Sequence, residues 1–157
     1  MSQTTDRHEK RVVGPEHRRL DVFVGRWRVE GRNAPQAPGS PGTSVLGEES
    51  YEWLPGGFFL MNRWNRRFSD GGIHQGTGII GHEPGGETYT NQAFDNLGYA
   101  RNYALSNNGR TWSFAGKWER ATVTFSDDGR HLQTRWEISK DGNIWQPLCD
   151  LASTKEP

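Results

Sequence analysis

Arg101 and Tyr103 flank Asn102 in the run Y-A-R-N-Y at 99–103. Residues two apart on a strand point the same way, so Arg101, Tyr103 and Tyr99 share a face. A guanidinium offers two parallel donors and a phenol adds a third, a set suited to a carboxylate. The alternative is an Arg101 that pairs with Asp95 or a glutamate, with Tyr103 as ordinary wall. His74 and Asp95 are the candidates for proton transfer. His74 lies at the start of an alternating run, and Asp95 ends one, where it can reach the mouth of a sheet structure. A rim or surface histidine is the competing reading of His74.

Other chemistry finds less support. Cys149, the only cysteine, sits in the apolar run Q-P-L-C-D-L and reads as a small buried thiol. No G-x-S-x-G elbow is present. The five histidines show neither H-x-x-x-H nor H-E-x-x-H spacing, so no metal is expected. His74 and His82 share a strand face but lie ~26 Å apart at ~3.3 Å per residue. No cofactor is expected either, although haem on His74 stays open. G-T-G-I-I-G at 76–81 resembles a dinucleotide loop, but no helix follows. Gly76 and Gly78 on one face instead suggest a neighbouring ring lying on the backbone. Glu48 and Glu49 point to opposite faces and cannot form one acid–base pair.

These side chains need a sheet to position them. Of 157 residues, 20 are glycine and 7 tryptophan, while only 32% are hydrophobic. Such a core leans on aromatics, and many glycines suit many turns. A short helix is expected after Gly14-Pro15, with Leu20, Phe23 and Val24 as its stripe and Gly25 as its stop. Beyond it the pattern is strands. G-R-W-R-V-E-G at 25–31 alternates, with Trp27 and Val29 inward and Arg26 and Arg28 to solvent. Gly-bearing turns at 55–57, 69–72, 83–86, 95–98, 107–109, 127–129 and 140–142 separate the later strands. Gly116 reads as a turn or a bulge. The sum is nine or ten sequential antiparallel strands, which hide their edges best by closing into an up-and-down β-barrel. A barrel wider than about eight strands leaves a ligand cavity. Trp27 is expected to plug one end.

The expected organisation is a disordered tail at 1–13, one barrel domain at 14–152 and a C-terminal tail at 153–157. Trp118 and Trp136, with Trp64 and Trp112, are expected to face an aromatic-lined lumen, while Arg120, Arg135 and Glu137 form ladders on the outer face.

A short helix followed by G-x-W resembles the calycins, the lipocalins and fatty-acid-binding proteins among them. H-R-R-L-D-V-F-V-G-R-W at 17–27, W-L-P-G-G-F-F-L at 53–60, G-I-I-G-H-E-P at 78–84 and F-S-D-D-G-R-H-L-Q-T-R-W-E at 125–137 are similar to an uncharacterised bacterial family of calycin-like domains of unknown function. The resemblance implies a closed barrel with a small-molecule cavity and no agreed chemistry. Fatty-acid-binding barrels hold a carboxylate with an Arg-x-Tyr pair near the end of the chain; here the pair sits on a middle strand.

The function expected is therefore binding of a hydrophobic or aromatic small molecule. Arg101 and Tyr103 would orient it, and Tyr51, Asn62, Trp64 and Trp136 would line the wall. A barrel enzyme (cyclase, isomerase or hydrolase) using His74 or Asp95 is the alternative, and a homodimeric interaction module without ligand the third. The charge balance of 19 basic and 19 acidic residues argues against nucleic acid and a basic membrane anchor. No apolar run approaches the ~20 residues of a membrane helix, no secretory signal is expected at the N-terminus, and one cysteine fits a reducing, cytoplasmic setting.

Overall fold

Trp27 and Val29 are 0% exposed, between solvent-facing Arg26, Arg28 and Glu30. The same two-residue alternation recurs around a closed ring. The computed structural model describes residues 10–35 and 37–157. A single α-helical turn, α1 (Pro15–Arg18), runs into a 3₁₀ turn, Arg19–Phe23. Ten strands follow: β1 (Gly25–Asn33), β2 (Ser44–Trp53), β3 (Phe59–Phe68), β4 (Ile73–His82), β5 (Tyr89–Asp95), β6 (Ala100–Asn108), β7 (Thr111–Ala115), β8 (Glu119–Phe125), β9 (His131–Ile138) and β10 (Gln146–Lys155). Each pairs antiparallel with its neighbours in sequence, and β1 closes the barrel on β10, from Trp27 opposite Lys155 to Asn33 opposite Cys149.

The turns explain the order. Gly98 and Gly129 adopt φ of +91° and +71°, a region side-chain-bearing residues avoid. They let the chain reverse between β5 and β6 and between β8 and β9. Gly116 resolves as a turn: its N–H donates to the carbonyl of Glu119 across the β7–β8 connection. The expected C-terminal tail at 153–157 is corrected. β10 continues to Lys155, because Ser153 and Thr154 pair with Leu132 and His131 and Ser153 is buried. Of the expected N-terminal tail, residues 1–9 lie outside the described residues, and 10–13 have no regular structure.

Three side chains moor the helical segment across one end. Trp27 Nε1 donates to the Phe23 carbonyl at 2.8 Å, Tyr89 Oη to the Glu16 carbonyl at 2.6 Å, and Trp53 Nε1 to Asp21 Oδ1 at 2.7 Å. Beneath it Phe23 meets the rings of Tyr51, Trp112 and Phe125 with centroids 5.0 to 5.3 Å apart. This half is solid. Trp27 is the plug expected of it, and Trp112 belongs to this core instead of lining a lumen. Among the described residues no helix is long and apolar enough to cross a membrane.

Candidate functional site

The other half of the barrel is not filled. A cavity of about 330 Å³ opens between the aromatic core and the far rim. The strands alternate direction, so the connections after β1, β3, β5, β7 and β9 all gather at that rim. Tyr51, Asn62, Trp64, Arg101, Tyr103 and Trp136 all line the cavity, and so do His74 and Asp95. A broader, more open depression of about 660 Å³, which includes Arg26, Glu48, Arg63 and Gln75 in its lining, runs along β1–β5. The outward side chains there already face water, so the lumen is the candidate site.

The lumen's charged groups form a belt, one per strand: Glu49 on β2, Arg66 on β3, His74 on β4, Asp95 on β5, Arg101 on β6 and Glu119 on β8. They are coupled in pairs. Arg66 Nη2 donates to Glu49 Oε1 at 2.5 Å, with both side chains largely buried. Arg101 Nη1 lies 3.2 Å from Glu119 Oε1, and Tyr103 Oη donates to Glu119 Oε2, also at 3.2 Å. His74 Nε2 lies 3.1 Å from Asp95 Oδ2. An ionised carboxylate only accepts, so Nε2 carries the proton of this bond.

Asp95 is heavily committed. Its Oδ1 accepts the backbone N–H groups of Leu97 and Tyr99 at 2.9 and 3.0 Å. Its side chain is only 5% exposed against 23% for His74. Burial pushes its pKa up, but those N–H bonds and the histidine outweigh burial and leave it below its ordinary value. Asp95 therefore stays ionised and orients His74. The two phenols move the other way. Burial first, then the negative charge of Glu49, raises Tyr51 well above its usual range; burial and Glu119 do the same for Tyr103. Both remain neutral hydroxyls. Cys149 lines the cavity as a half-buried thiol whose pKa burial pushes up to about 11, which makes it a poor nucleophile.

Two glycines shape the wall. A Cβ on Gly76 would stand 2.0 Å from the Trp64 ring, and one on Gly116 2.9 Å from the Tyr103 ring. Both rings lie flush on glycine backbone, as expected for Gly76. Gly78 instead accommodates Asn91 Oδ1. Trp64 Nε1, Arg66 Nε and Asn91 Oδ1 are sealed from solvent without a hydrogen-bond partner. Such atoms cost stability where they stand.

Two expectations change. The Arg101–Tyr103 clamp is closed, because the carboxylate it holds belongs to Glu119; the pairing alternative describes the structure. Trp118 is 46% exposed beneath Lys117 and does not face the lumen, because it shares the outer face with Arg120. Glu119, between them, is the residue that turns inward. Arg120 pairs with Glu137 and Arg135 with Asp150 as outer ladders.

Sequence spacing also missed a group at the plugged end. Glu16, His17 and His82 each place a potential ligand atom within 4.8 Å of the others. Local hydrogen bonds already use two of the ring nitrogens: His17 Nδ1 accepts the Gly14 N–H at 2.9 Å, and His82 Nε2 lies 2.7 Å from the Gly86 carbonyl. The rings fasten α1 to β4.

The family defined as a protein of unknown function, DUF1579, matches residues 13–146. The chain belongs to this family. Its structure is similar to the crystal structure of Rv2717c from M. tuberculosis, with 15% identity, TM-score 0.71, and coverage of 93% of this chain and all of the other. It is also similar to the S-type phycobiliprotein lyase CPES from Guillardia theta, with 9% identity, TM-score 0.56, and coverage of 90% and 96%. At these identities the likeness is one of fold. No curated protein matches the chain.

Proposed function

We propose that this protein binds a hydrophobic or aromatic small molecule in the barrel lumen. One observation carries the reading: a cavity of about 330 Å³, walled by Trp64, Trp136, Phe114 and Leu132 and crossed by a belt of paired polar groups, left unfilled in a barrel whose other half is tightly packed. Apolar walls with a few fixed polar points are the usual make-up of small-molecule pockets. Tyr51, Asn62, Trp64, Tyr103 and Trp136 supply the contact surface, and Arg101 contributes its stem and its paired head. The proposal includes the calycin-like, bacterial character that the motifs suggest. It also includes a cytoplasmic setting, which the single cysteine supports, and no nucleic-acid or membrane partner, in line with the balanced charge.

Native mass spectrometry of freshly purified protein, beside its denatured mass, is the first test. A mass lost on denaturation, or saturable binding of the neutral fluorophore N-phenyl-1-naphthylamine that Ala93→Phe weakens at least about tenfold, supports the reading. No bound mass and no fluorophore binding would sink it. A bare homodimer in the same spectrum would favour an interaction module.

A second reading, proton transfer on a small metabolite, is favoured by the His74–Asp95 pair. Asp95 fixes Nε2 as the donor, and no protein group among the described residues bonds Nδ1. The imidazole is thus held like a general base with an open lone pair. A 4-nitrophenyl ester serves as probe. Turnover that loses its pH dependence in His74→Ala supports this reading; turnover indifferent to the substitution refutes it.

A further inference from the structure

We propose that the lumen selects aromatic cations and rejects carboxylates of the same size. The inference rests on lumen binding as proposed above. Three carboxylates, Glu49, Asp95 and Glu119, face two guanidiniums, Arg66 and Arg101. Carboxylates thus outnumber guanidiniums in the belt by one. Both guanidiniums are already spent on carboxylates, at 2.5 and 3.2 Å. An entering anion thus meets no free cation. It meets Glu119 where a ligand carboxylate would have to sit, because Glu119 takes both the Arg101 guanidinium and the Tyr103 hydroxyl.

A cation meets the opposite situation. The excess charge attracts it, and the wall is lined by the aromatic rings of Trp64, Trp136 and Tyr103 in a confined, poorly solvated space. Indole and phenol faces attract cations most when water is excluded. The remaining donors do not reverse this balance. Trp64 Nε1 and Arg66 Nε are sealed from solvent and beyond the reach of a bound molecule, and the Tyr103 hydroxyl already donates to Glu119.

Three matched probes test the idea on the wild-type protein at low ionic strength: 1-naphthylmethylammonium, 1-naphthylmethanol and 1-naphthoate, followed by calorimetry. The ammonium is expected to bind at least about tenfold more tightly than the naphthoate, with the alcohol between them. Glu119→Gln removes the excess charge and frees Arg101; naphthoate should then gain about tenfold and the ammonium should lose its lead. Naphthoate binding the wild type as tightly as the ammonium overturns the proposal. Equal affinity for ammonium and alcohol overturns the cation preference and leaves lumen binding standing. Binding of none of the three removes both readings together.

Discussion

The two halves of this barrel obey one alternation rule and come out differently. Around the plugged end the inward positions are Leu60, Tyr89, Leu105, Trp112 and Phe125, and the helical segment adds Leu20 and Phe23. Around the open end the inward positions are Glu49, Arg66, His74, Asp95, Arg101 and Glu119, with two tryptophans on the wall. Ten strands enclose more volume than wall side chains alone can fill. One half solves this by importing a helix; the other keeps the space and stabilises it with ion pairs. The stability of the fold therefore resides mostly in the first half, and its chemistry in the second.

That division can be broken most directly at Phe23. Phe23→Ala removes the ring that touches Tyr51, Trp112, Phe114 and Phe125. It should cost about 3–5 kcal/mol, read from urea unfolding. Glu49→Ala is the matching cut in the open half. It leaves Arg66 charged, poorly solvated and unpaired, at a cost of about 3 kcal/mol, whereas replacing both partners by apolar residues should recover most of it. If the double replacement is no more stable than the single one, the belt is structural in a way the comparison denies.

Acid titration sharpens the contrast further. Asp95 is lowered in the folded state, so its contribution is present above the unfolded carboxylate value of ~3.9 and is lost as pH falls through the folded value. Asp95→Asn should flatten that acid limb of the stability curve, seen as melting temperature against pH. The smallest effect belongs to the outer ladder. Arg120→Ala, which breaks an exposed pair with Glu137 at 3.0 Å, should change stability by less than about 1 kcal/mol.

Much of this was legible without coordinates, and the reasons are local. The hairpin turns carry glycines where the chain must reverse, and Trp27 alternates with arginines as a half-buried strand must. His74 and Asp95 each stand out singly in the sequence, and their pairing is within its reach. Counting outward from the E-P-G-G turn sets Gly76 opposite Asp95, which leaves His74 one diagonal step away. Glu119 was harder. Its partners lie 16 and 18 residues earlier, on a strand two positions round the barrel, and Trp118 beside it has the composition of a lumen residue. Parity within W-E-R, with Arg120 outward, is the one signal that would have turned Glu119 inward. The Glu16–His17–His82 contact has no such signal, because it joins the helix to a strand end by tertiary packing alone.

Asp95 has a consequence beyond orienting His74. Its second oxygen ties down Leu97 and Tyr99, two exposed residues whose side chains line the outlet of the lumen. One carboxylate thus sets both the posture of the imidazole inside and the slackness of the doorway outside. A bound molecule would feel this as dwell time: variants of Asp95 should change how long an occupant stays more than how readily it arrives.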